Sequence, residues 1–260
     1  MPRSPRHDQP SSAGSAGVLA SGPTAALSDP REHREVLERA VHDLKNPLAV
    51  VRASLEWLEV ELGTAEDVPP TSPRDSGAEV AEAIRDAGSA TKRLVEIVED
   101  LATLARLHDA SNVRDNRMFL APVVSAAIGA CQARAQTRNV VLSSDVPASL
   151  ETTGDASLFS RALAALLDAT VRGARPSAKI VTSARERDAD GRWLEMVIAV
   201  ADEDPRDDAH EGGEGSVADL PGSGLGTLLA TRIVDVHGGS VTVVSGNMVP
   251  RITVRVPARG

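Results

Sequence analysis

Eight apolar residues, Leu37, Val41, Leu44, Leu48, Val51, Leu55, Leu58 and Leu62, recur at alternating steps of four and three. A repeat of about 3.5 residues holds one stripe of a helix against the same neighbour over many turns, so this segment is expected to be a long helix with an apolar seam. Its start is marked by Asp29-Pro30-Arg31-Glu32: an acidic N-cap, proline at the first helical position and glutamate at the third. Gly63 to Arg74 is loop-like in composition. Ser76-Gly77-Ala78-Glu79 then reads as a capping box for a second helix. On that helix Val80, Ile84, Ala87, Thr91, Leu94, Val98, Leu101 and Ala105 repeat the same period. Two such helices joined by a short loop predict an antiparallel hairpin with too little mass for a core of its own. Two hairpins together complete a four-helix bundle, so a homodimer is the physical expectation. A plain coiled-coil spacer is the competing reading of the same pattern.

From about Met118 the period changes. Val123 to Ala133 reads as a helix, Val140 to Ser143 as a strand and Ala156 to Gly173 as a longer helix. Lys179 to Ala184 and Glu195 to Ala201 alternate like an antiparallel pair. Leu225 to His237 is helical in pattern, and Ser240 to Ser245 with Arg251 to Val256 read as closing strands. The fold class is therefore α+β, a helical hairpin followed by an α/β sandwich, with expected divisions at residues 1–28, 29–110 and 111–260.

Composition narrows the function classes. A net charge of −9 lacks the basic face a non-specific nucleic-acid binder needs. Cys131 is the only cysteine, which excludes an intrachain disulfide or a cysteine-rich zinc site and leaves it as a small buried hydrophobe. Aromatic residues are 2% of the chain, so the core must come from Leu, Val, Ile and Ala. Met1 to about Ala26 is too rich in Pro, Ser and Gly to offset the entropy of ordering, and reads as a disordered tail. Neither a continuous apolar leader nor a run long enough to span a bilayer is visible. The expectation is a soluble cytoplasmic chain without membrane insertion, receiving its input through a partner protein or the tail.

Chemistry concentrates in Ala40 to Val51, AVHDLKNPLAVV. His42 lies one position off the seam, at its edge. A neutral imidazole is a good nucleophile toward phosphorus, and the adjacent Asp43 can hold or remove its ring proton. Pro47 removes the helical bond to the carbonyl of Asp43 and would kink the helix beyond the nucleophile. The unbroken order His42-Asp43-Leu44-Lys45-Asn46-Pro47-Leu48 resembles the H-box of two-component sensor histidine kinases. The resemblance implies that His42 accepts a phosphoryl group, that Asp43 is general base or orients the ring, and that Asn46 helps orient water when the regulator is dephosphorylated.

Gly222 to Gly246, GSGLGTLLATRIVDVHGGSVTVVSG, resembles the second glycine box of the same family, with its helix and HGG turn. Gly222, Gly224 and Gly226 would let backbone amides approach phosphate at a helix N-terminus, where the dipole favours anions. His237, in the HGG turn, reads as structural. Other boxes depart from the family pattern. The two asparagines of the N-box, one a magnesium ligand, fall on Ala165 and Ala169, and alanine binds no metal. Arg172 keeps the basic residue that faces phosphate. In the first glycine box, Asp202 keeps the adenine-binding aspartate, but Asp204 and Arg206 replace both glycines. Asp202 to Glu214 holds seven acids, which repel phosphate unless magnesium lies between. Asp168, Glu203 and Asp204 are the candidate magnesium ligands.

The resemblance implies a cytoplasmic, dimeric protein-histidine kinase. It would autophosphorylate on His42 from ATP with Mg2+ and pass the phosphoryl group to an aspartate on the receiver domain of a response regulator. The losses at Ala165, Ala169, Asp204 and Arg206 keep a second reading open: a phosphotransfer protein without ATPase activity, relaying phosphoryl between regulators. A binding-only scaffold is a third.

Overall fold

The structure is a computed structural model that describes residues 30–62, 76–107, 116–187, 192–201, 214–215, 217, 220, 224–244 and 251–259. Two 32-residue helices, α1 (Pro30–Glu61) and α2 (Ser76–Leu107), lie along each other as the hairpin. Both begin where the capping signals place them. Pro47 lies inside α1, which continues through it.

Each seam divides in two. On α1 the half-buried set is Leu44, Val51 and Leu58, while Val41, Leu48, Leu55 and Leu62 are exposed, as is Leu37 near the start of the helix. On α2, Val80, Ala87, Leu94 and Leu101 are half-buried and Ile84, Thr91, Val98 and Ala105 exposed. A heptad repeat explains this: one of its two positions per turn pair packs within the hairpin, and the other is left for a neighbour. Leu62 is 66% exposed and Val98 58%, values that isolated surface helices seldom sustain along a whole stripe.

The remaining elements are β1 (Arg117–Phe119), α3 (Leu120–Thr137), β2 (Val141–Asp145), β3 (Glu151–Thr153), α4 (Ala156–Gly173), β4 (Lys179–Arg187), β5 (Trp193–Val200), β6 (Glu214–Gly215), α5 (Leu225–Val236), β7 (Ser240–Val244) and β8 (Arg251–Pro257). The main sheet runs β2-β4-β5-β8-β7-β6, with β2 parallel to β4 and the other pairs antiparallel. β1 and β3 form a separate antiparallel ribbon. The three shortest strands, β1, β3 and β6, carry too few residues to show a period, and α3 extends past the expected Val123–Ala133 at both ends, where Leu120 and Ala135 continue its buried stripe.

Strand alternation sends Ile180, Leu194, Met196, Ile198, Ile252, Val254 and Val256 into the core. There they join Leu163, Leu166, Leu167 and Phe159 of α4 and Leu229, Ile233 and Val234 of α5. The opposite face carries a charged row set by register: Glu195 lies opposite Arg185 on β4 and Arg255 on β8. His237 is structural. Its Nδ1 donates to the Ile233 carbonyl at 2.6 Å, and its Nε2 accepts the Asp155 N–H at 3.0 Å. The following Gly238 takes φ 75°, which the turn requires and a larger residue resists. α5 touches both the sheet layer and the hairpin, so it connects the two halves.

Candidate functional site

His42 stands on α1 with its side chain 76% exposed, and Asp43 beside it is 15% exposed. Asp43 Oδ1 lies 3.5 Å from His42 Nδ1. That contact favours a proton on Nδ1 and leaves Nε2 as the ring nitrogen with a nucleophilic lone pair. One turn on, Asn46 is exposed and, with His42, Asp43 and Pro47, lines a cavity of about 690 Å³ that Arg93, Arg134 and Arg172 also line.

Asp43 also contacts α5. The Leu225 N–H donates to Asp43 Oδ2 at 2.7 Å. The N-cap of α5 is Gly224, which has no side chain to cap the first turn. Thr227 Oγ1 accepts the Gly224 N–H at 3.1 Å and donates back to the Gly224 carbonyl at 2.9 Å, closing the turn locally. A methyl group on Gly224 would collide with the Asp43 carboxylate, so this approach depends on glycine. By contrast α4 is capped by its own Asp155, which accepts from Ser157 N at 2.8 Å and Leu158 N at 3.0 Å.

A second cavity, about 790 Å³, runs from this helix start along α4. Gly224, Gly226 and Thr227 border one end; Ala164, Ala165, Asp168 and Arg172 of α4, Arg134 of α3 and Arg161 line the rest. Ala165 is on its wall, whereas Ala169 is fully buried in the core. Arg172 therefore sits between the two cavities, and burial pushes its guanidinium below its usual range while Asp168 opposes that shift.

Asp168 was expected among the magnesium ligands. Its Oδ2 instead receives Arg172 Nη1 at 2.5 Å, and its Oδ1 is paired with Arg134. A carboxylate held by two guanidinium groups has no oxygen turned to a cation, and Ala165 and Ala169 supply no donor. Among the described residues no three His, Cys, Asp or Glu side chains group as metal ligands do. These residues do not fit magnesium. Asp202, Glu203, Asp204 and Gly222 lie outside the described residues.

Arg134, Arg161 and Asp100 belong to none of the sequence motifs, yet all three line the second cavity. Arg161 lies in the second turn of α4, the helix that carries Ala165, Asp168 and Ala169, and is visible there as a basic residue on a mostly apolar helix. Arg134 carried no signal, because its partner Asp168 is 34 positions away on another helix.

Residues 32–110 match the family model of the His Kinase A (phospho-acceptor) domain. The signal transduction histidine-protein kinase/phosphatase MprB of Mycolicibacterium vanbaalenii is 26% identical over 227 residues, covering 84% of this chain and 44% of that relative. MprB of Mycolicibacterium smegmatis is 27% identical over 242 residues, covering 85% and 45%. The chain thus spans less than half the length of these curated relatives. Among solved structures, the Acinetobacter baumannii histidine kinase AdeS superposes with a TM-score of 0.56 at 18% identity, covering 84% of this chain and 98% of that one. Histidine kinase ThkA, solved in complex with the response regulator protein TrrA, gives 0.56 at 11% identity over 88% of this chain and 64% of its own. These two show that the fold is shared. No described helix is long and apolar enough to cross a membrane.

Proposed function

We propose, for a chain that belongs to the two-component sensor histidine kinase family, that it is a dimeric, cytoplasmic protein-histidine kinase phosphorylated on His42 by ATP. Residues 29–110 would be the dimerisation and phosphoacceptor unit and residues 111–260 the ATP-binding unit. The observation that carries this reading is the placement of His42 and Asp43 on one cavity with Arg172, which also lines the cavity beneath the start of α5.

The chemistry follows from these positions. Asp43 holds the proton on Nδ1, so Nε2 attacks the γ-phosphorus. A phosphorus–nitrogen bond forms, the bond from that phosphorus to the bridging oxygen breaks, and ADP leaves with the bond's electron pair. Arg172 offsets charge that builds on the transferring group. Gly224 and Gly226 allow close approach of the phosphate chain to backbone amides. No step is assigned to magnesium, because the described residues do not hold it. The phosphoryl group would pass to an aspartate of a response-regulator receiver domain docked on the hairpin, and Asn46, one turn from His42, would orient the water that hydrolyses the regulator's aspartyl phosphate to free phosphate in the opposing reaction. The exposed half of each seam supports a homodimer through the hairpin.

The test is incubation with γ-labelled ATP beside a His42→Gln variant. The expected result is acid-labile label on the wild type alone. Label accepted only from a phosphorylated regulator, with none from ATP, would replace the kinase by a relay.

A further inference from the structure

The α5 N-cap residue, Gly224, has no side chain to cap the first turn, and the Leu225 amide is instead capped by a residue of the other half of the chain. Asp43 Oδ2 takes the Leu225 N–H at 2.7 Å, as the oxygen of an N-cap aspartate would. Gly224 leaves the room for it, since any side chain there would strike the carboxylate. The same amides border the 790 Å³ cavity in which the phosphate chain is proposed to lie. Two anions cannot share one N–H. Asp43 is also the residue whose other oxygen faces His42 Nδ1 at 3.5 Å.

We propose that the start of α5 is a shared anion seat, held by the Asp43 carboxylate when no phosphate is bound and surrendered to a nucleotide phosphate when one enters. This rests on the reading that the chain binds ATP. Its consequence is a link between loading and chemistry: arrival of phosphate releases Asp43 from α5 and frees its carboxylate to act on the His42 ring beside it. Before loading, the carboxylate is divided between backbone and ring. The seat also explains why Gly224 is a glycine although the helix would be better capped locally by serine or aspartate.

Competition predicts a ligand-specific signature. Replacing Asp43 removes a competitor for phosphate but touches nothing that binds the adenine end. In the full chain, Asp43→Ala should therefore bind ADP about fivefold more tightly than wild type, the change expected when a cap-strength competitor is removed. Adenosine, which has no phosphate, should bind both proteins equally. A second measurement needs no nucleotide. The Leu225 amide should exchange with deuterium about fivefold faster in Asp43→Ala than in wild type, and ADP should restore protection in both. The proposal is overturned if Leu225 exchanges at the same rate in both proteins, or if ADP affinity is unchanged while wild type binds ADP. It is also overturned if adenosine and ADP tighten alike, because Asp43 would then act on the whole docked arrangement. If neither protein binds ADP at all, the ATP reading fails with it, whereas the other negative outcomes leave that reading standing.

Discussion

Arg161 on α4 places two nitrogens on one oxygen of Asp100 on α2, Nη2 at 2.7 Å and Nε at 3.2 Å from Oδ1. Its Nη1 reaches Thr103 at 3.1 Å. Asp100 is 9% exposed, so this is a largely desolvated link between the hairpin and the sheet layer. A paired charge in such a place is specific in geometry, and its rupture is costly because the partner is left buried.

Arg161→Met should therefore destabilise the protein by about 3 kcal/mol at neutral pH. Burial pushes the Asp100 carboxyl above its usual range, and Arg161 offsets this only in part. The folded state thus binds that proton more readily than the unfolded chain, and ionisation of Asp100 weakens the fold as pH rises through the folded value. Losing Arg161 widens that window, so the variant should lose clearly more stability at pH 7 than at pH 4. Urea denaturation at both pH values checks this; an equal loss at each would mean that Arg161 acts through packing alone.

The opposite sign applies to Glu195. Burial disfavours its charge, but hydrogen bonds from Arg185 and Arg255, together with the charge of Arg185 and a bond from Arg187, outweigh burial and hold its pKa below the ordinary value. The stability this contributes is present above the unfolded carboxyl's 4.5 and is lost as pH falls through the folded value. Glu195→Gln should cost about 2 kcal/mol at neutral pH and should lack that acid limb. Thermal melts from neutral to acid pH would show the two curves converging as the proton is taken up.

Cys131 should be inert in the native protein. Burial first, and then the nearby Asp168, push its thiol up to about 11. Its Sγ donates to the Ala164 carbonyl at 3.2 Å. Iodoacetamide at pH 8 is expected to label it on the order of 100-fold more slowly than in urea, since the thiolate is the reactive form. Mass spectrometry of the alkylated chain gives the rates, and comparable rates would disprove a buried, neutral thiol.

The exposed seam is testable at residues that line neither cavity. Leu55→Glu with Val98→Glu places charges where the bundle of a dimer would be dry, more than two turns along α1 from His42. Sedimentation should show a dimer for wild type and a monomer for the double variant, with the far-UV spectrum retained. A double variant that stays dimeric would place the interface elsewhere.

Much of this was legible in one dimension. Leu37 to Leu62 announced a long helix because helical periodicity is local, and capping preferences marked the starts of α1 and α2 to within a residue. The Lys179 and Glu195 strands were visible because one buried face enforces alternation. β1, β3 and β6 were not, since two or three residues carry no period.

The sequence by itself determined the hairpin, the α+β order and the His42–Asp43 pair, all of which are matters of spacing along a few turns. Only the tertiary structure decided which half of each seam faces outward. It alone brought Arg134 to Asp168, and it alone set Asp43 on the first amide of α5. Those outcomes join residues far apart in the chain, and the energy of such a contact depends on geometry and desolvation that no local pattern records.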